Sequence, residues 1–177
     1  QGRLEEALEC YRAAMKIREG LGRNDPSNAD WQHDLSFSHE KIGNVLEEQG
    51  RLEEALECYR ALMGIAERLA ESDPSNADWQ HDLSKSQIRI GDVLRAQGRL
   101  AQALESYRTA MKLAQSHPHS DTSNAVWRRD LGVGHYKIGD VLMDQGRLEE
   151  ALESYRASME IAERLAHSDP SNAGWQR

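Results

Sequence analysis

Residues 49–60 read Gln49-Gly50-Arg51-Leu52-Glu53-Glu54-Ala55-Leu56-Glu57-Cys58-Tyr59-Arg60, and residues 61–74 run from Ala61 to Asp73-Pro74. Apolar side chains fall at 52, 55, 56, 59, 62, 63, 66 and 69, the spacing of one broad face of an α-helix. Glu53 and Glu54 occupy its first turn, where the helix dipole favours negative charge. Asp73-Pro74 stops it. Gly50 stands where a C-cap glycine would end the preceding helix, whose stripe is Trp31, Leu35, Ile42, Val45 and Leu46. Ser75 and Asn76 offer N-cap oxygens to the next helix. The stretch therefore predicts a helical hairpin, each arm about 20 residues and about 30 Å long. No segment alternates as a strand would.

The hairpin recurs. Gln-Gly-Arg-Leu appears at residues 1, 49, 97 and 145, and the tryptophans are Trp31, Trp79, Trp127 and Trp175, always 48 residues apart. Residues 1–48 share 34 identities with 49–96, which marks tandem duplication. A fixed period of this size is that of a solenoid, whose units bury their apolar faces on one another. The expected fold is all-α, a right-handed superhelical α-solenoid of antiparallel helical hairpins. Residues 1–177 read as one repeat domain, with units 1–48, 49–96 and 97–144 and a partial unit 145–177, taken as a fragment of a longer array. Seven helices and a C-terminal stub are expected.

Composition narrows the function. The chain of 177 residues carries a net charge of −8 and has 29% charged residues. Its mean hydropathy is −0.77 and its pI about 5.4. No apolar run reaches the roughly 18–20 residues of a membrane span, so no membrane association is expected. An acidic chain lacks the basic face that nucleic-acid binding needs. Two cysteines make no disulfide framework, and Cys10 and Cys58 lie one unit apart, too far to pair within the chain. The expected location is cytoplasmic.

No catalytic constellation emerges. The seven histidines form no i, i+4 pair, His33 and His81 should stack about 10 Å apart, and His117-Pro118-His119 is an isolated loop feature. Phosphate-cradling glycine loops and nucleophile elbows are absent. No enzyme, cofactor or metal is therefore expected.

Ile42-Gly43, Leu46, Gly50, Ala55, Tyr59 and Pro74 resemble the tetratricopeptide repeat pattern. The resemblance recurs from Ile90-Gly91 through Tyr107 and from Ile138-Gly139 through Pro170. The repeat has 48 residues where the family has 34, as if each helix had gained seven, about two turns. His39, Gln87 and His135 stand at the family's tryptophan position. The resemblance implies a protein-interaction scaffold whose first helices line a concave groove. The residues it places there are Phe37, Glu40, Asn44 and Glu47 from the first unit, and Lys85, Ile88, Asp92 and Arg95 from the second. Tyr136, Asp140 and Met143 complete the set. They fall on the stripe opposite the buried one, and the units diverge chemically at most of these columns. Phe37 and Tyr136 are the expected anchors for a protein or peptide segment. Asn44 matches a carboxylate-clamp position, but Asp92 and Asp140 replace its counterparts. A ligand with basic flanks and an apolar centre is expected.

Further expectations concern packing and the ends. Gly43, Gly91 and Gly139 predict close approach of a neighbouring helix backbone, and the tryptophans predict core. Pro118 should end its helix near Gln115, and Gly132 and Gly134 should weaken the one that follows. The alternative function is end-to-end self-assembly through uncapped terminal helices, with Leu4, Leu8, Tyr11 and Trp175 as contacts and a homo-oligomer as the product.

Overall fold

The computed structural model describes residues 2–25, 27–116 and 125–168. Seven helices follow one another: α1 (Gly2–Asn24), α2 (Ala29–Glu48), α3 (Leu52–Ser72), α4 (Ala77–Ala96), α5 (Leu100–Ser116), α6 (Ala125–Asp144) and α7 (Leu148–Ser168). Each packs mainly on its neighbours in sequence, so first-type helices (α2, α4, α6) alternate with second-type helices (α1, α3, α5, α7) along an α-solenoid. Among the described residues there is no strand, and no helix is long and apolar enough to cross a membrane.

The turn inside each hairpin is set by its glycine. Gly50, Gly98 and Gly146 have φ of +74°, +74° and +75°, the left-handed conformation that costs a glycine least. The Gly50 amide donates to Glu47 O at 2.9 Å and the Arg51 amide to Leu46 O at 2.8 Å. This pairing is the Schellman motif, which satisfies two otherwise orphaned carbonyls. Between hairpins, Asn76 Oδ1 caps α4 by accepting from the Asp78 and Trp79 amides at 3.1 and 3.2 Å. Ser75 has a different role from the expected cap: its amide and hydroxyl both donate to Asp73 Oδ1. Together the two residues form an Asx turn ahead of the helix.

The core runs the length of the array. Ile42, Leu46, Ala55, Leu56 and Tyr59 are buried in one unit, and Ile90, Leu94, Ala103, Leu104 and Tyr107 in the next. Gly43 packs closely, but against an aromatic ring and not a helix backbone. A Cβ there would lie 2.7 Å from Tyr59 Cε1, and the same holds for Gly91 on Tyr107 (2.5 Å) and Gly139 on Tyr155 (2.7 Å). Each glycine thus seats the tyrosine of its own hairpin. Gly132 and Gly134 also pack: a Cβ on Gly134 would meet Met111 Cγ at 2.5 Å, and one on Gly132 would meet Ile161 Cγ2 at 3.3 Å. Their expected role as a weak point gives way to close packing of α6 on both neighbours. Trp127 is buried, whereas Trp31 and Trp79 are half-buried. α5 ends at Ser116, one residue past the predicted stop; Pro118, His117, His119, Pro170, Trp175 and the stub lie outside the described residues.

Candidate functional site

One face of the array is built from the first-type helices, and ion pairs cross it from unit to unit. Lys85 Nζ of α4 lies 2.9 Å from Glu40 Oε1 of α2, with Arg89 Nη2 at 3.7 Å from the same oxygen. Lys137 Nζ of α6 lies 2.8 Å from Asp92 Oδ1 of α4. Arg95 of α4 grips α6 twice, Nη1 donating to Asp140 Oδ2 at 2.5 Å and Nε to Asp144 Oδ2 at 2.6 Å. The two carboxylates hold the Arg95 guanidinium well above its ordinary pKa, the Asp144 hydrogen bond contributing most.

Core tyrosines reach the same face from beneath. The Tyr59 hydroxyl lies 2.7 Å from Asn44 Oδ1 and 2.9 Å from Glu47 Oε2. Tyr107 donates to Asp92 Oδ1 at 2.7 Å, and Tyr155 to Asp140 Oδ1 at 2.8 Å. Burial first, and the adjoining carboxylates second, push the Tyr59 and Tyr107 hydroxyls far above the usual tyrosine range. They remain neutral donors. The Gly–Tyr contact of each hairpin therefore sets a hydrogen-bond donor under its first helix.

The sequence-derived groove residues all lie on these helices, and none of them is fully buried. Glu40, Asn44, Glu47, Lys85, Asp92, Arg95 and Asp140 belong to the pairs just described. Ile88 is half-buried, and Phe37, Tyr136 and Met143 are exposed. Lys41 Nζ sits 4.7 Å from the centroid of the Phe37 ring, and the Tyr136 ring lies 5.6 Å from that of Tyr155. Phe37 borders a cavity of about 250 Å³ between α2 and α4, floored by Leu62 and Ser36 and rimmed by His33, Asp82, Glu40 and Lys85.

The expectation of a ligand with basic flanks treats the groove as mixed, with Lys85 and Arg95 between acidic ends, and Asp92 and Asp140 among its acids. Both are already held by a cation and a tyrosine of the protein. The cations Arg89 and Lys137 also belong to the site, although sequence reasoning left them out; the uniformly basic column Lys41, Arg89 and Lys137 was the available signal.

A second set of cross-unit contacts was missed altogether. His33 Nε2 lies 3.4 Å from Asp82 Oδ2, and His81 Nε2 lies 3.0 Å from Asp130 Oδ2. Each histidine reaches an aspartate of the following first-type helix. Among the described residues no group of three or more His, Cys, Asp or Glu could hold a metal ion.

At the ends, Leu8 is fully buried and Leu4 and Tyr11 pack against the core. Leu8 is thus unavailable as an end-to-end contact, because α2 and α3 already enclose this part of α1 as core. Trp175 lies outside the described residues. The apolar side chains that α1 does expose are Ile17 and Leu21, and those of α7 are Leu148, Leu152 and Met159.

A tetratricopeptide repeat profile matches residues 38–68, 84–117 and 134–164, just over half of the chain. The chain belongs to the tetratricopeptide repeat family. Each matched segment begins partway along a first-type helix, passes through the glycine turn and continues along most or all of the second-type helix that follows, so the residues of this tetratricopeptide unit outside the match lie at the open ends of its hairpins, away from the turn. Among solved structures, BtubC (BKLC) from P. vanneervenii matches with a TM-score of 0.69 at 17% identity, over 92% of this chain and 58% of that one. The apo form of RapI matches with a TM-score of 0.50 at 18% identity, over 94% of this chain and 64% of RapI. The chain spans about 58–64% of the length of these two proteins. At such identities the likeness is one of fold. No curated protein matches the chain in sequence.

Proposed function

We propose that this tetratricopeptide array is a non-enzymatic scaffold that binds a protein segment along the face of α2, α4 and α6. The observation that carries the reading is how exposed apolar side chains are distributed. Among the described residues the large ones fall on the terminal helices α1 and α7, at Val126, or at Phe37, Tyr136 and Met143 of the first-helix face. The interior second-type helices α3 and α5 expose none, and α4 contributes only the half-buried Ile88 to the face. Exposed apolar side chains beside satisfied ion pairs favour a ligand that supplies apolar anchors and little net charge, because a charged ligand would have to break pairs already made. Phe37, Ile88, Tyr136 and Met143 are the anchor sites, and Glu40, Asn44, Glu47, Lys85, Asp92, Arg95 and Asp140 form the polar floor. Cys10 and Cys58 are free thiols, which suits a reducing compartment such as the cytoplasm.

The alternative, end-to-end assembly of copies, has weaker support. Among the described residues the outermost helices, α1 and α7, are both of the second type, so copies stacked through them would set like against like, whereas the principal interfaces pair a second-type helix with a first-type one.

Selection of an unbiased displayed peptide library on the 177-residue protein tests the groove reading. Enriched peptides should carry two or three spaced apolar residues with near-neutral charge, and their binding should fall in a Phe37→Ala, Tyr136→Ala double variant. Enrichment of strongly basic peptides, or binding that ignores the double variant, would overturn it.

A further inference from the structure

We infer, resting on the first-helix face as the binding surface, that the cavity between α2 and α4 is its specificity pocket and takes a tyrosine side chain of the bound segment. The ring would lie against Phe37 and Leu62, and the hydroxyl would donate to Asp82.

The cavity sits inside the array, between the hairpins α2–α3 and α4–α5. Leu62 of α3 floors it and is 7% exposed, and Phe37 of α2 borders it. At the next junction, between α4 and α6, Lys85 stands in the Phe37 column and Ala110 in the Leu62 column. There the Ser84 hydroxyl reaches the floor, donating to Ala110 O at 3.1 Å. His81 also approaches Asp130 to 3.0 Å while its ring packs on Trp127. At the first junction the Ser36 hydroxyl instead donates to His33 O of its own helix at 2.7 Å, and His33 stands 3.4 Å from Asp82. An aromatic wall, an apolar floor and open space thus coincide between α2 and α4. An apolar cavity of about 150 Å³ holds a benzene, so one of about 250 Å³ has room for a phenol.

The rim selects the occupant by charge. Lys41 and Lys85 line it beside Glu40 and Asp82. A cationic side chain would meet the two lysines, and a carboxylate would meet the two acids. Glu40 is already engaged, with Lys85 Nζ at 2.9 Å and Arg89 Nη2 at 3.7 Å from its Oε1. Asp82 is less so: His33 Nε2, at 3.4 Å, stands beyond ordinary hydrogen-bond length, and the carboxylate can accept more. A purely apolar side chain would cover that carboxylate without pairing it, which costs free energy. A tyrosine fills the apolar part and brings a neutral donor to Asp82, and hydrogen bonds to a charged acceptor are among the stronger ones.

Peptides selected from an unbiased displayed library on the 177-residue protein are the probe. Those whose binding requires Phe37 should share one tyrosine. Replacing it with phenylalanine should weaken binding about tenfold, as loss of a hydrogen bond to a charged group does. In an Asp82→Ala protein the tyrosine and phenylalanine peptides should bind within about twofold of each other, the coupling that a direct contact requires. Asp82 is partly exposed on a helix, where alanine is well tolerated, so the variant's circular dichroism should match the parent's. The peptide series on the parent protein tests the pocket without any variant. Phe37-dependent peptides with no shared tyrosine, equal affinity of the tyrosine and phenylalanine peptides for the parent, or a tyrosine preference that survives Asp82→Ala would each overturn the pocket and leave the groove standing. Enrichment of no peptide, or only of peptides indifferent to Phe37 and Tyr136, would overturn both.

Discussion

His81 Nε2 stands 3.0 Å from Asp130 Oδ2, and its ring meets that of Trp127 edge-on at 5.9 Å between centroids. One side chain of α4 thereby contacts α6 through both charge and ring packing. The Asp130 hydrogen bond raises the His81 pKa; burial opposes it, the charges of Asp130 and Asp82 add to it, and Lys85 subtracts.

The sign of the pH effect follows from that shift. The folded state holds the His81 proton more tightly than the unfolded chain, so the contribution is complete below the unfolded pKa of about 6.5 and fades as pH rises through the raised folded value. The difference in melting temperature between the parent and His81→Gln should be largest near pH 6 and shrink above pH 8. The side chain is about one-third exposed, so solvent screening keeps the effect within about 1 kcal/mol. Asp130→Asn should remove the same pH dependence, and the double variant should remove no more.

Two glycine-to-alanine substitutions should move stability in opposite directions. At Gly91 a Cβ would lie 2.5 Å from Tyr107 Cε1, whereas at Gly64 it would meet nothing nearer than Arg68 Nη1 at 3.8 Å. Gly64→Ala should stabilise by up to about 1 kcal/mol through helix propensity. Gly91→Ala should destabilise by about 1–3 kcal/mol, because the core ring must shift. Urea melts of both variants measure the contrast.

Arg95 joins α4 to two carboxylates of α6, and Asp140 beneath it is mostly buried. Arg95→Met should cost about 1–3 kcal/mol, since it leaves Asp140 and Asp144 adjacent without their shared cation. The loss should be partly masked in about 1 M salt, where the remaining repulsion is screened. Chemical denaturation with urea at low and high salt reads both quantities.

Much of this was legible before the structure. The 48-residue period and the apolar stripes define hairpins whose boundaries at Gly50 and Asn76 agree with the observed caps. What sequence could not supply was the stagger between units. His33 meets Asp82 and Glu40 meets Lys85 because neighbouring first-type helices are offset along the array, and a repeat alignment places identical columns side by side instead. The small residue at Gly43 announced close approach, yet its spacing could not say whether a backbone or the Tyr59 ring arrives there. Leu8 shared the apolar pattern of a terminal helix, and only packing showed it enclosed while Ile17, on the same helix, is exposed.

The most direct test of the scaffold account is titration calorimetry of a peptide selected on this protein against four single variants. Phe37→Ala and Tyr136→Ala should each weaken binding by about tenfold or more, as anchors do. Val126→Ala and Met159→Ala, exposed apolar positions outside the groove, should leave it within about twofold. Equal affinity for all four variants would contradict the claim that the face of α2, α4 and α6 is where this array takes its partner.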